Sequence, residues 1–264
     1  MTNSPAPFPI TVFDEVTSTN DAILELGSGD APEGTTHLAL TQTLGRGRSD
    51  HRWWSPPGAG VWMSTLLRPR VERALWAGLS LLAGVAARSA LESIGVPNTQ
   101  LFWPNDLEVG RKKLGGILGE VRSSGKKAWL AMGIGINIDL REAKAHKYLP
   151  ADVAANATSI LECVESGAVT TISPVEIAHH ILEKFWPLYE RFHAKESIAA
   201  LAGTQLAHIG HDVEIRLGDR PPWRAIVKGL GERGELLVQP SGDPAEPVVS
   251  LTGGEVVYGE EEQT

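Results

Sequence analysis

From His208 to the C-terminus every apolar run is short. Val213 to Leu217, Trp223 to Gly229, Leu236 to Gln239, Val248 to Leu251 and Glu255 to Tyr258 are parted by Gly, Pro and Asp, and helical periodicity is gone. That rhythm predicts a small β-barrel, with too few residues for a large sandwich. Upstream the chain mixes strands and helices, which places a domain boundary near residue 208: a larger α+β unit over 1–207 and a β unit over 208–264. A chain of 264 residues is long enough to bury one sizeable core plus such an appendage.

Within the first unit, Ile10 to Val16 reads as a strand, and Ser18-Thr19-Asn20-Asp21 opens a helix with the Ser-x-x-Asp spacing of a capping-box-like start. Thr36 to Gln42 and the apolar run Val61 to Leu67 are strands, and the long Gly-, Arg- and Trp-bearing segment between them is the first place to look for chemistry. A buried helix is expected from Arg73 to Ile94. Leu114 to Val121 and Ala128 to Ile138 read as a hairpin turning at Ser123-Ser124-Gly125. Ser173-Pro174-Val175-Glu176 starts a helix running to about His193, and a shorter one follows from Ser197 to Ala207. The sheet is therefore expected to be mixed or antiparallel and flanked by helices.

A net charge of −8, without a basic stripe, argues against a dedicated nucleic-acid binder. Cys163 is the only cysteine, so neither a disulfide framework nor a thiolate metal centre is expected, and a reducing cytoplasm is the natural home. The MTNSPAPFPI start lacks a charged region followed by an apolar one, and no segment reaches the roughly 18 uninterrupted apolar residues of a membrane span. His179-His180 and His208-x-x-His211 lack the further ligands of a zinc site, so satisfied or surface histidines are expected there. Neither a Gly-x-Ser-x-Gly elbow nor a Walker-type loop occurs. The final GEEEQT reads as a frayed tail.

Four segments can carry chemistry. Gly45-Arg46-Gly47-Arg48-Ser49-Asp50-His51-Arg52-Trp53-Trp54 combines a pliant backbone, forked donors for an anion and aromatic faces that exclude water, although a solvated arginine loop has the same composition. Trp103-Pro104-Asn105-Asp106 follows a strand and also suits a plain turn. Lys112-Lys113-Leu114-Gly115-Gly116-Ile117-Leu118 puts cations at a strand start followed by room for a ring; two solvated lysines would look the same. Gly133-Ile134-Gly135-Ile136-Asn137 places glycine on one strand face, which marks either a close approach or a bulge.

Taken in order, Ser18-Thr19-Asn20, Gly45 to Arg48, Trp103 to Asp106, Lys113 to Ile117 and Gly133 to Asn137 resemble the biotin protein ligase family. The resemblance runs from about residue 10 through the C-terminal region, where the family has an SH3-like barrel. It implies ATP-dependent activation of biotin, with Mg²⁺ accompanying the ATP, and transfer to a lysine of a biotin carboxyl carrier protein. It places Ser18, Thr19, Asn20, Gln42, Gly45, Arg46, Gly47, Arg48, Gly116, Leu118, Gly133 and Gly135 around biotin. Arg48, Trp53, Asn105, Lys113 and Asn137 fall around ATP or the adenylate, with Trp53 flanking adenine. Lys113, Arg48 and Asp106 carry the catalytic roles, Asp106 helping the acceptor lysine lose its proton. No resident metal is implied, and a homodimer is. With a first strand near residue 10 there is no room for an N-terminal helix-turn-helix, so no repressor function is expected.

The chain departs from the family pattern at Asp50 and His51, where Gly and Arg are usual, and at Phe102, where a basic residue often precedes Trp-Pro-Asn-Asp. Two other functions fit parts of the pattern: a lipoate or octanoyl ligase, and a biotin-binding sensor with weakened catalysis.

Overall fold

The computed structural model describes residues 8–164, 173–242 and 245–258; the side chains of Asp50 and Ala145 and the C-terminal GEEEQT lie outside that description. The elements, in order, are β1 (Ile10–Val16), α1 (Thr19–Leu26), β2 (Thr36–Gln42), β3 (Gly60–Leu67), α2 (Leu79–Ser93), β4 (Gln100–Phe102), β5 (Asp106–Val109), β6 (Lys112–Ser124) and β7 (Lys127–Asn137). Three short helices follow, α3 (Arg141–Ala145), α4 (Ala151–Asn156) and α5 (Ile160–Cys163), then α6 (Pro174–His193) and α7 (Ile198–Ala202). The chain ends in β8 (Asp212–Arg216), β9 (Trp223–Leu230), β10 (Leu236–Pro240), β11 (Val249–Leu251) and β12 (Glu255–Tyr258).

The first seven strands form one mixed sheet in the order β1-β2-β3-β7-β6-β5-β4. Only β1 and β2 run parallel among the pairs of this sheet. The last five strands form a separate antiparallel sheet, consistent with the expected SH3-like unit.

Period-two alternation decides which face of the large sheet does what. Val61, Met63 and Leu67 of β3, Leu130, Met132, Ile134 and Ile136 of β7, and Leu114 and Ile117 of β6 join the main core, covered by α2 and α6. The other face carries Ser64, Gly116, Leu118, Gly133, Gly135 and Asn137, with α1 packed over part of it through Ile23, Leu24, Leu66, Trp129 and Ala131. One face is thus consumed by folding and the opposite one stays open for a ligand. Arg73–Ser93 is long and apolar enough to cross a membrane, but 67% of its most apolar stretch is buried inside the protein, as in a core helix.

Several expectations need correction. Ser18 occupies the N-cap of α1 with extended backbone, yet its side chain makes no capping bond, and the Asp21 carboxylate that would complete a capping box is paired with Arg46. The helix expected from Arg73 begins as a 3₁₀ segment over Arg73–Gly78 and becomes α-helical at Leu79. The β6–β7 turn falls at Gly125-Lys126, where Gly125 has φ 58°, and Ser123 and Ser124 remain in the strand. The helix expected from Ser197 ends at Ala202, followed by a 3₁₀ turn at Gly203–Gln205.

Candidate functional site

The glycines of β6 and β7 form the floor of a cavity of about 740 Å³. Gly116 pairs with Gly135, and Gly133 with Leu118, in an unbroken ladder, so the glycines mark a close approach and not a bulge. Trp53 is what approaches: a methyl on Gly135 would lie 2.7 Å from its indole Nε1, and one on Gly116 would lie 3.2 Å from its six-membered ring. On Gly133 a methyl would collide with the Asn20 amide.

At one end of the cavity the polar groups are neutral, buried and mutually bonded. Gln42 Oε1 accepts from the Thr19 backbone N–H at 2.9 Å and from its hydroxyl at 3.1 Å. Gln42 Nε2 donates to Ser55 at 3.0 Å. Ser64 Oγ lies 2.7 Å from the Thr19 hydroxyl and 2.5 Å from Asn20 Oδ1. Asn20 Nδ2 donates to the Leu118 carbonyl and to Glu120. Each group is oriented by another, and Ser18, Thr19 and Asn20 are nearly inaccessible at 3%, 3% and 5% exposure. Such a network holds its donors and acceptors in place before any ligand arrives.

The Gly-Arg-Gly-Arg loop lies across this end. Arg46 makes a forked pair with Asp21 at 2.7 and 2.8 Å and reaches Glu120 at 3.0 Å. The guanidinium holds the Asp21 carboxyl below its usual range, and the two carboxylates raise Arg46 further. Gly47 N–H donates to the His51 carbonyl and Trp53 N–H to the Gly45 carbonyl, which folds the loop on itself. Gly45 does not line the cavity; a side chain there would meet the Trp53 carbonyl at 2.5 Å, so its smallness serves the loop's own packing. Arg48, by contrast, lines the cavity and has no ion pair among the described residues.

At the other end lie the charges. Lys113 Nζ meets Asp106 Oδ2 at 2.7 Å and sits 5.6 Å from the centre of the Trp53 ring. Asp106 Oδ1 is buried with no partner, as is Trp53 Nε1. Asn105 Nδ2 donates to the Ile117 carbonyl at 2.7 Å, which ties the Trp-Pro-Asn-Asp turn to β6 and presents Asp106 to the cavity. Beyond Trp53 a second cavity of about 300 Å³ is lined by Trp54, Leu140, Leu149 and Val153 together with Lys113 and Asn137. Asn137 is spent locally, its amide donating to the Thr158 carbonyl at 2.9 Å.

Of the residues singled out from sequence, Ser18, Thr19, Asn20, Gln42, Arg46, Gly47, Arg48, Trp53, Asn105, Asp106, Lys113, Gly116, Leu118, Gly133 and Gly135 line the 740 Å³ cavity, Asn137 lines the 300 Å³ one, and Gly45 lines neither. Sequence reasoning missed Ser64 and Glu120, which orient Asn20, and Glu108, two residues after Asp106 on the same strand. It also missed that the second sheet closes the cavity, through Arg216, Glu255 and Val257 among others. The period-two position of Glu108 relative to Asp106 was the one available signal.

Phe102 explains how that closure is held. It is buried and packs edge-on against His208 at 4.6 Å and Tyr258 at 5.5 Å, joining β4 to β12. His208 is not satisfied as expected: it is fully buried, neither ring nitrogen has a hydrogen bond, and burial pulls it down to about 4. His51 is exposed at the mouth of both cavities. No group of three or more His, Cys, Asp or Glu side chains able to hold a metal occurs among the described residues.

Residues 12–137 match the model of the biotin/lipoate A/B protein ligase family. The bifunctional ligase/repressor BirA of Bacillus subtilis is 32% identical over 229 residues, spanning 86% of this chain and 68% of that protein. This chain belongs to the biotin/lipoate A/B protein ligase family. A biotin–[acetyl-CoA-carboxylase] ligase of Mycobacterium tuberculosis is 28% identical over 255 residues, 94% of this chain and 88% of that one. In structure, the biotin protein ligase of Aquifex aeolicus in complex with biotin and ATP superposes with a TM-score of 0.74 at 27% identity, covering 94% of this chain and 97% of the other. The match extends through the second sheet, so the family likeness covers both sheets of the fold.

Proposed function

We propose that this chain is an ATP-dependent biotin protein ligase, which joins biotin to AMP and then passes it to a lysine of a biotin carboxyl carrier protein. The observation that carries this is the layout of the cavity: hydrogen-bonding side chains held by one another at Thr19, Asn20, Gln42 and Ser64 lie at one end, Lys113 paired with Asp106 lies at the other, and Arg48 lines the same cavity. Biotin likewise has two unlike ends, a neutral ureido head and a carboxylate tail. The relatives named for biotin ligation support the assignment.

In the first half-reaction the biotin carboxylate attacks the α-phosphorus of ATP and pyrophosphate leaves. Two anions must meet, so Lys113 and Arg48 stabilise charge that grows in the transition state. The apolar cavity beyond Trp53 suits the adenine, with that indole forming the wall between the two substrates. Mg²⁺ bound with the triphosphate would neutralise the leaving pyrophosphate, taking most of its ligands from phosphate and water.

In the second half-reaction a lysine amine attacks the mixed anhydride, and the Arg46-anchored loop with Trp53 keeps water from doing so first. The test is direct. The purified chain is mixed with biotin, magnesium ATP and an apo carrier domain, and the carrier is weighed by mass spectrometry. One biotinylated lysine is the expected result. No adduct with biotin, or an adduct with lipoate in its place, would reject the assignment.

A further inference from the structure

The transfer step needs a group to take a proton, since a carrier lysine with an ordinary pKa near 10.4 arrives as an ammonium. Asp106 is the family-implied candidate, but in this structure one of its oxygens is held by Lys113 at 2.7 Å. A second carboxylate stands beside it. Asp106 and Glu108 alternate with Leu107 along β5, so Leu107 enters the core while both acids line the cavity. In the ladder Glu108 faces Lys113, and Asp106 faces Gly116 under the Trp53 ring.

Resting on the ligase function proposed above, we propose that Glu108 is the proton acceptor for the carrier lysine, with Asp106 holding the ammonium in place through its unpartnered Oδ1. The ammonium donates a hydrogen bond to Asp106 Oδ1 and passes one proton to the Glu108 carboxylate, which becomes the neutral acid. The freed nitrogen pair adds to the carbonyl carbon of the biotinyl adenylate. The carbon–oxygen bond to phosphate breaks with its electrons going to AMP. The second N–H proton leaves with the AMP phosphate, and Glu108 returns its proton to solvent once the amide product departs.

The surroundings suit this use. Burial, reinforced by the neighbouring Asp106 charge, pushes Glu108 up to about 7, with Lys113 and Arg111 pulling the other way. From the second sheet Arg216 and Glu255 face the same cavity. A carboxyl that changes charge near neutrality is a far better proton acceptor at physiological pH than one titrating at 4.5. It is ionised and competent above pH 7 and protonated and silent below.

Two measurements on the full chain separate this step from the overall function: biotin-dependent pyrophosphate exchange, and single-turnover transfer from preformed adenylate to an apo carrier domain. Each is run from pH 6 to 9 on the parent, Glu108→Gln and Glu108→Asp. The expected parent transfer rate rises through an inflection near pH 7 and then levels. Glu108→Gln should lose about 10²-fold in transfer at pH 7.5, far more than in exchange, and its profile should climb with pH without levelling near neutrality. Glu108→Asp should recover part of the rate with a shifted inflection, which a purely structural role would not produce. A Gln variant that keeps both the parent transfer rate and the parent inflection overturns the proposal, as do equal losses in transfer and exchange. Absence of biotin-dependent exchange in the parent would instead reject the ligase assignment itself.

Discussion

The two ends of the cavity are built on opposite plans. Around Asn20 the polar groups are bonded to one another and to Glu120, itself paired with Arg46, so each has its partner without a ligand. Around Lys113 the groups are incompletely paired: Asp106 keeps a buried oxygen without a partner and Trp53 a buried N–H. A completed network reads shape and hydrogen-bonding pattern at little reorganisation cost. An incomplete one keeps open a carboxylate oxygen for a donor and an indole N–H for an acceptor, groups that a reacting species can engage. On the proposed function, recognition belongs to the first end and chemistry to the second, and substitutions should separate them.

The largest effect expected is at Lys113. Lys113→Ala should cut biotin-dependent pyrophosphate exchange by about 10²- to 10³-fold, as for loss of one preorganised donor. Its side chain is 40% exposed, so the melting temperature should hardly move. A large drop in melting temperature with the same loss of rate would make Lys113 structural and dissolve the contrast between the ends.

Next is Asn20→Ala, which removes one partner each from Ser64, Glu120 and the Leu118 carbonyl, leaving Ser64 with Thr19 and Glu120 with Arg46. Biotin affinity measured by calorimetry should weaken by roughly 10- to 100-fold, corresponding to about 1–3 kcal/mol for the loss of buried hydrogen bonds. The adenylation rate at saturating biotin should fall much less. An equal fall at saturation would mean that the neutral end also takes part in chemistry.

A stability measurement sharpens the charged end. Glu108 is pushed up to about 7 in the folded state from 4.5. Between those values the folded state holds a proton that the unfolded state has lost, so stability declines as pH rises through that window and the deficit is complete above about pH 7. Glu108→Gln should therefore stabilise the protein at pH 8 relative to pH 4.5, by on the order of 1–3 kcal/mol. Denaturant midpoints with no pH-dependent difference would place Glu108 in solvent.

The smallest effect belongs to the loop. Asp21→Ala removes the forked partner of Arg46, but both side chains are about one-third exposed, at 33% and 37%, and Glu120 remains. Partly exposed pairs are worth about 1 kcal/mol or less, so adenylate should dissociate only a few-fold faster in a stopped-flow chase. A change of 100-fold would make the Arg46 clasp, and not the incompletely paired end, the seat of ligand retention.

How much of this was legible in the sequence follows from what local pattern can encode. The glycines of β6 and β7 announced a close approach, but whether they marked a bulge needed the register, which only the assembled ladder reveals. The Ser-Thr-Asn start of α1 was visible as polar side chains at a junction, whereas the partner of Asp21, an arginine 25 residues away, was not, and Ser18 makes no side-chain capping bond. The three short helices α3 to α5 carry little amphipathic signal, so the wall of the smaller cavity was not foreseen. The strands of the second sheet were legible one by one, but not their docking onto the cavity. That docking rests on Phe102 meeting His208 and Tyr258, contacts between residues more than a hundred positions apart. Phe102, seen from sequence as a lost cation, is part of the joint between the two sheets.

A cavity that activates biotin must support labelled pyrophosphate exchange into ATP by the purified chain. Exchange that requires biotin, saturates with it and is not supported by lipoate is the predicted result. Exchange driven by lipoate, or none with either acid despite calorimetric biotin binding, would contradict it.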